Sequence, residues 1–448
     1  MRSTIAVAAA AAAVLLDGAS AAPTQLSPRT TRSRDYQVSL DPRPFYLVNS
    51  MAPSDLKSSL ERCANGPFSI TDFTIGHRGG STLQFPEESV EDTIAGARMG
   101  AGILECDVTF TKDRGLVCRH SHCDLHTTTD ILLHPELAAK CTVPFTPADP
   151  AKNTPATALC CTSDLTLAEY LSLCSKMDAS NTAAASPLEF QGSPPSWRTQ
   201  LYETCSKLMS LESYIDLVDS LPGNRKFTPE LKIPPPQVPM PFNTTQGPYS
   251  QSQFARDMLD TFIRKGIDPA RVWPQSFLPA DIYQWVKEYP KTFGQQAVYL
   301  DDVPATANNI TAIKLRLQDI RKHGVNVLAP AMQHLLALDK NGSVIPSEYA
   351  KEAQRLGFTL IAWTFERSGP LATVKERKDG YYSSIADAMH TDGQVYEVLD
   401  VLVRQVGVKA VFSDWASTLT YYANCFGLKG PKILRQRKWG KGGKRAHE

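Results

Sequence analysis

The segment "ILECDVTFTKDRGLVCRH" (103–120) sets two acids, Glu105 and Asp107, two residues apart and ends on His120. Side chains alternate across a strand, so both carboxylates face one side, while Leu104, Cys106, Val108 and Phe110 face the other. Like charges held side by side and buried cost on the order of several kcal/mol each unless something neutralises them. "KFTPELK" (226–232) supplies a third acid, Glu230, with Lys232 on the same face by alternation. Three converging carboxylates make an all-oxygen site for a hard dication, Ca²⁺ or Mg²⁺. "GHRGG" places His77 and Arg78 at the end of another apolar run. Two imidazoles titrating near neutral pH, beside a dication, Arg78 and Lys232, suit a phosphate ester. The cations take the phosphoryl charge, one histidine removes a proton from the attacking oxygen, and the other protonates the leaving alcohol. Cys106 points away from the acids and is excluded as a ligand. A zinc cluster of His120, His122 and Cys123 is the competing metal site, but three such close neighbours cannot close a tetrahedron alone, and Cys123 is better placed in a disulfide.

These residues need strands that converge. Eight apolar, β-branched runs fit that need, at 73–77, 103–110, 226–232, 271–277, 296–301, 325–330, 358–365 and 408–414. Between them lie 3.6-residue patterns such as "QSQFARDMLDTFIRKG", "PADIYQWVKEYP" and "PSEYAKEAQRLG", several ending at Gly. "GLVCRH" follows "TKDR", too short a link for a parallel crossover, and is read as an antiparallel return strand. Eight strand–helix units predict an α/β fold, a (β/α)8 TIM barrel. Pro229 conflicts with its strand, where a missing N–H usually demands a bulge. The cysteine- and proline-rich region after His120 holds two helical patterns, "LTLAEYLSLC" and "LMSLESYIDLV", and leaves a strand on the face that carries active sites.

The 448 residues carry a net charge of +1, which gives no reason to expect nucleic acid as a partner. "MRSTIAVAAAAAAVLLDGASAA" has the basic start, short apolar run and small-residue site of a secretory signal, and no later stretch is apolar enough for a transmembrane segment. The ten cysteines fit an oxidising compartment, and sequons at Asn243, Asn309 and Asn341 suit surface glycans. The chain is thus divided into a signal segment (1–22), an N-terminal extension (23–68), a barrel (69–430) with a cysteine-rich insertion or lid (121–212), and a basic disordered tail (431–448). The expected location is extracellular or at the cell wall, where the tail could make weak contact with an anionic surface.

"GHRGGSTLQFPEES", "LECDVTFTKDRGLVCRH" and "FTPELK" together resemble the glycerophosphodiester phosphodiesterase family, in a secreted form like those of fungi. The resemblance spans about 73–415 and implies a TIM barrel. It also implies acid/base roles for His77 and His120, metal ligation by Glu105, Asp107 and Glu230, and phosphate contacts from Arg78 and Lys232. Glu87 matches the family's supporting acid, Trp363 a tryptophan of the substrate pocket, and Asp414 the aspartate that often ends the last strand. The chain departs from the family at His120–Ser121, where His-Asp is usual, at His126–Thr127–Thr128, and at Glu88–Ser89.

The expected activity is metal-dependent hydrolysis of a small-molecule glycerophosphodiester to glycerol 3-phosphate and an alcohol such as choline, inositol or ethanolamine. The alternatives are cleavage of an intact lipid head group, as in phospholipase D or sphingomyelinase D-like barrels, and a catalytically dead secreted binding protein.

Overall fold

The structure, a computed structural model, describes residues 37–201, 205–302 and 309–432. The expected signal segment and the tail from 433 onward lie outside the described residues.

All eight expected strands form, the first two somewhat longer than their apolar runs and the other six somewhat shorter. They are β1 (Thr71–Gly76), β2 (Ala101–Phe110), β3 (Lys226–Leu231), β4 (Gln275–Ser276), β5 (Val298–Asp301), β6 (Val327–Pro330), β7 (Thr359–Phe365) and β8 (Ala410–Ser413). Each pairs in parallel with the next, and β1 pairs with β8, which closes the barrel. A helix follows each strand before the next, or after β8 closes the set: Val90–Arg98, Leu211–Ser220, Gln251–Arg264, Pro279–Glu288, Ile310–Lys322, Glu348–Arg355, Gln394–Val401 and Ala416–Cys425. Ser89, Ser210, Ser250 and Ser347 cap four of these by accepting a backbone N–H from the first turn. The second helical pattern of the cysteine-rich region is the crossover helix itself: Tyr214 on Leu211–Ser220 donates from its hydroxyl to Leu104 O (2.6 Å) on β2.

Leu116–Cys118 returns antiparallel to β2, and Cys106 bonds to Cys118 across the pair. That disulfide lies on the face away from the acids, as strand alternation requires. Pro229 produces no bulge, contrary to expectation. β3 keeps continuous register with β2, Cys106 opposite Pro229. In a regular parallel ladder the N–H of residue 229 would reach Trp273 O; that carbonyl accepts instead from Thr228 Oγ1 (2.8 Å). A neighbouring hydroxyl thus replaces the bond that proline cannot make.

Residues between the return strand and Leu211–Ser220 build a small core of their own around Leu125, Ile131, Leu165 and Tyr170. Disulfides Cys123–Cys161, Cys141–Cys160 and Cys174–Cys205 staple it. Helices Arg43–Asn49 and Asp55–Arg62 pack near the final helix, where Cys63 bonds to Cys425 over 362 residues of sequence. Asn243, Asn309 and Asn341 are exposed.

Candidate active site

β1 runs into a single helical turn, His77–Gly79, in which Arg78 has φ 53° and Gly79 and Gly80 have φ 118° and 98°. A Cβ on Gly79 would lie 2.2 Å from the Asp92 carboxylate, so the turn requires glycine there. This tight reversal aims His77 and Arg78 across the barrel mouth. Strand alternation delivers Glu105 and Asp107 from β2, and Glu230 from β3, where it pairs in register with Asp107. Carboxylate oxygens of Glu105, Asp107 and Glu230 lie within 4.8 Å of one another. The three acids of the sequence reading therefore meet.

Their partners differ. Glu105 accepts from Arg78 N (2.8 Å) and Gln275 Nε2 (2.6 Å). Glu230 pairs with Lys232 Nζ at 2.5 Å. Both oxygens of Asp107 are buried without a hydrogen bond, with Lys232 Nζ at 3.7 Å and Arg78 Nε at 3.8 Å. Buried carboxylate oxygens are seldom left unpaired, and a dication among these oxygens would satisfy them, so the donor set fits an oxygen-liganded metal. Burial, then repulsion from Asp107 and Glu230, pushes the Glu105 carboxyl well above its usual range. Burial pushes Glu230 up to about 8, opposed by Lys232 and reinforced by Asp107. For Asp107, burial is outweighed by Lys232 and Arg78, which hold its carboxyl low.

His77 bonds through Nδ1 to Asp414 Oδ1 and turns Nε2 toward Glu105 Oε2, 3.9 Å away. Because the partner is a carboxylate, the proton is assigned to Nδ1, which leaves the Nε2 lone pair free. Burial depresses the imidazole to about 4 despite the pull of Asp414. His120 is also depressed, by burial and then by Arg78 and Lys232. A ring nitrogen of His120 and oxygens of Glu87 and Asp124 lie within 4.8 Å of one another. Asp124 also accepts from Ser121 N (3.0 Å), bracing the turn that carries His120 where the family pattern would have Asp in place of Ser121. Glu87 accepts from Arg78 Nη1 at 2.8 Å, so it orients the guanidinium.

His77, Arg78, Glu105, His120, Glu230 and Lys232 line a cleft together with Phe277, Leu300, Trp363, Tyr381 and Phe412. Trp363 donates from Nε1 to Ala329 O (2.8 Å) and meets the rings of Phe277 and Tyr381 edge-on. Of the residues expected from sequence, His77, Arg78, Glu105, His120, Glu230, Lys232 and Trp363 border this cleft, while Asp107, Glu87 and Asp414 are buried and do not line it. The zinc alternative fails: Cys123 is spent in a disulfide, and His122 packs between Phe110 and Phe254 with Nε2 on Lys232 O at 3.4 Å.

Several residues escaped the sequence reading. Phe277, Leu300 and Phe412 stand at the C-terminal ends of barrel strands, so position alone could have flagged them. Gln275 sits opposite Glu230 in register. Arg367, just past β7, donates to Asp414 Oδ2 at 3.0 Å, and Arg198 donates to the same oxygen. Arg198 comes from the cysteine-rich region and carried no signal in sequence.

No helix among the described residues is long and apolar enough to cross a membrane. The chain is 42% identical over 253 residues to an "Extracellular protein" of Arthroderma benhamiae, a match covering 56% of this chain and all of that one. Among solved structures, a protein assigned as glycerophosphoryl diester phosphodiesterase from Silicibacter pomeroyi DSS-3 shares 16% identity, covering 81% of this chain and 95% of its own, with a TM-score of 0.49. An Oleispira antarctica phosphodiesterase in complex with the product sn-glycerol-3-phosphate shares 16%, covering 78% and 95%, with a TM-score of 0.43. The profile of the glycerophosphoryl diester phosphodiesterase family matches residues 77–418, from the first site histidine to beyond Asp414, and the chain belongs to that family.

Proposed function

We propose that the protein is a secreted, divalent-metal-dependent phosphodiesterase that hydrolyses glycerophosphodiesters to glycerol 3-phosphate and an alcohol. One observation carries this reading: in a member of this family, the unpartnered oxygens of Asp107 lie among two further carboxylates, with His77 and His120 bordering the same cleft. Glu105, Asp107 and Glu230 are the residues that would hold Ca²⁺ or Mg²⁺. When bound, such an ion neutralises charge on the phosphoryl oxygens.

The remaining chemistry belongs to the chain. Arg78 and Lys232 bring fixed positive charge to the phosphate, and Glu87 keeps the guanidinium oriented. His77, with its Nδ1 proton committed to Asp414, presents Nε2 as the base that takes a proton from the attacking oxygen. The anionic diester raises the basicity of the buried imidazoles on arrival. His120 then gives a proton to the departing alcohol oxygen. The rings of Phe277, Trp363 and Tyr381 in the cleft lining suit a quaternary ammonium, which favours choline over inositol as the alcohol.

Five disulfides among the ten cysteines support secretion, as does the extracellular relative. The test is hydrolysis of glycerophosphocholine, glycerophosphoinositol and sphingomyelin with Ca²⁺ or Mg²⁺, alongside Glu105→Gln and His77→Ala. Metal-dependent release of glycerol 3-phosphate by the unmodified protein alone supports the proposal. Release of choline from sphingomyelin only would move the activity to lipid head groups. Equal, EDTA-insensitive signals from all three proteins would eliminate the enzyme.

A further inference from the structure

We propose that the cysteine-rich insertion is a working part of the catalytic mouth, because its Arg198 is a positioning residue that fixes Asp414 and, through Asp414, the ring of His77. This rests on the acid/base role given to His77 above.

Asp414 is fully buried at the end of β8 and serves three donors: His77 Nδ1, Arg367 Nη1 and Arg198 Nη2. Arg367 is local to the barrel, two residues beyond β7. Arg198 reaches the same carboxylate from 216 residues away in sequence. Its other terminal nitrogen, Nη1, lies 3.3 Å from Thr82 O and 3.4 Å from Thr82 Oγ1, in the loop just after the turn that carries His77. One planar guanidinium therefore bridges the segments that hold the two halves of the His77–Asp414 pair. The fork geometry of arginine suits such a bridge, and the single ammonium of lysine does not.

The backbone around Arg198 is held too. Thr199 N donates to Leu83 O (2.8 Å) and Leu201 N to Gln84 O (3.3 Å), so this arm runs along the loop after β1. Trp197 packs against the loop after β7, where a Cβ on Gly369 would lie 2.6 Å from its ring. Arg377 covers that ring at 5.0 Å from the centroid. The arm thus touches the loops that follow β1 and β7 and the end of β8, all at the catalytic end of the barrel. Arg198 does not itself line the cleft. It should govern how His77 is held rather than how tightly substrate binds.

Arg198→Ala and Arg198→Lys test this. Arg198→Ala should lower kcat about 10- to 100-fold with KM changed less than about threefold, as expected when a misaligned group weakens only the transition state. Millimolar guanidinium should restore a saturable part of the loss in Arg198→Ala and none in Arg198→Lys, a response that a general folding defect would not give. Hydrogen–deuterium exchange supplies a readout independent of turnover: peptides covering 76–85 and 195–201 should exchange several-fold faster in both variants. Unchanged exchange in these peptides overturns the proposal even if no substrate is ever found. So does an equal loss of kcat in both variants that guanidinium leaves untouched. Inactivity of the unmodified protein on every diester would instead count against the function proposed above, with the exchange measurement still deciding the role of Arg198.

Discussion

Raising the pH from 6 to 9 should tighten divalent-cation binding at Glu105, Asp107 and Glu230. Without an ion, burial and Asp107 hold the Glu230 carboxyl at about 8, so about nine-tenths of it is protonated at pH 7. A cation needs the carboxylate, and binding must expel that proton. Affinity should therefore climb at least about tenfold, or about 1.4 kcal/mol, for each pH unit from 6 to 8, and the part due to Glu230 should level off above 8. The raised Glu105 can only steepen this slope. The same carboxyl affects folding with a fixed sign. Between its ordinary 4.5 and about 8, the native protein keeps a proton that the unfolded chain has lost, so the metal-free fold loses stability as pH rises through that window. Calorimetric titration with Ca²⁺ and Mg²⁺ at pH 6, 7, 8 and 9, in two buffers of different ionisation enthalpy, measures both affinity and protons released. About one proton per ion at pH 7 is expected from Glu230, and Glu230→Gln should lower the measured release by that one proton. An affinity constant from pH 6 to 8 with no proton release would refute the assignment of Glu230 as a ligand that titrates on binding.

His77→Ala should reduce kcat by about 10² to 10⁴, and Asp414→Asn should reduce it by a smaller factor while leaving Glu105, Asp107 and Glu230 able to bind the ion; steady-state kinetics beside calorimetry separates the two effects. His122 is held neutral down to about pH 3 by burial, so as pH falls from 6.5 the unfolded chain gains a proton that the fold refuses. His122→Phe should therefore make the stability lost between pH 7.5 and 4.5 smaller by about 3 kcal/mol at most, read from urea unfolding. Thr228→Val should cost about 1–3 kcal/mol by stranding Trp273 O, and Thr228→Ser should recover most of it in thermal melts.

The strands and the acid cluster were legible because both follow from local rules. Alternation fixed which side of β2 carries Glu105 and Asp107, and the short link to "GLVCRH" fixed its antiparallel return. Glu230 was legible once three carboxylates were required to share one ion. What stayed hidden depends on long-range placement. Arg198 sits among prolines and serines with no periodicity, and only the folded insertion brings it to Asp414. The replacement of the Pro229 bond by Thr228 Oγ1 needs the neighbouring strand in place before it can be seen. The crossover helix Leu211–Ser220 was read as part of the insertion because its amphipathic pattern does not say which core it covers. Gln275 lies in a strand of two residues, too short for a periodic signal.

The Cys63–Cys425 bond makes the described barrel a covalent ring in all but the peptide sense, since nearly every barrel residue lies between its two sulfurs. A protease that nicks one exposed loop inside that ring would leave both fragments tethered, still able to close around the same site. Opening the chain at such a loop, with 63 and 425 still joined, should likewise be tolerated, because the bond already holds residues 63 and 425 together on one side of the barrel.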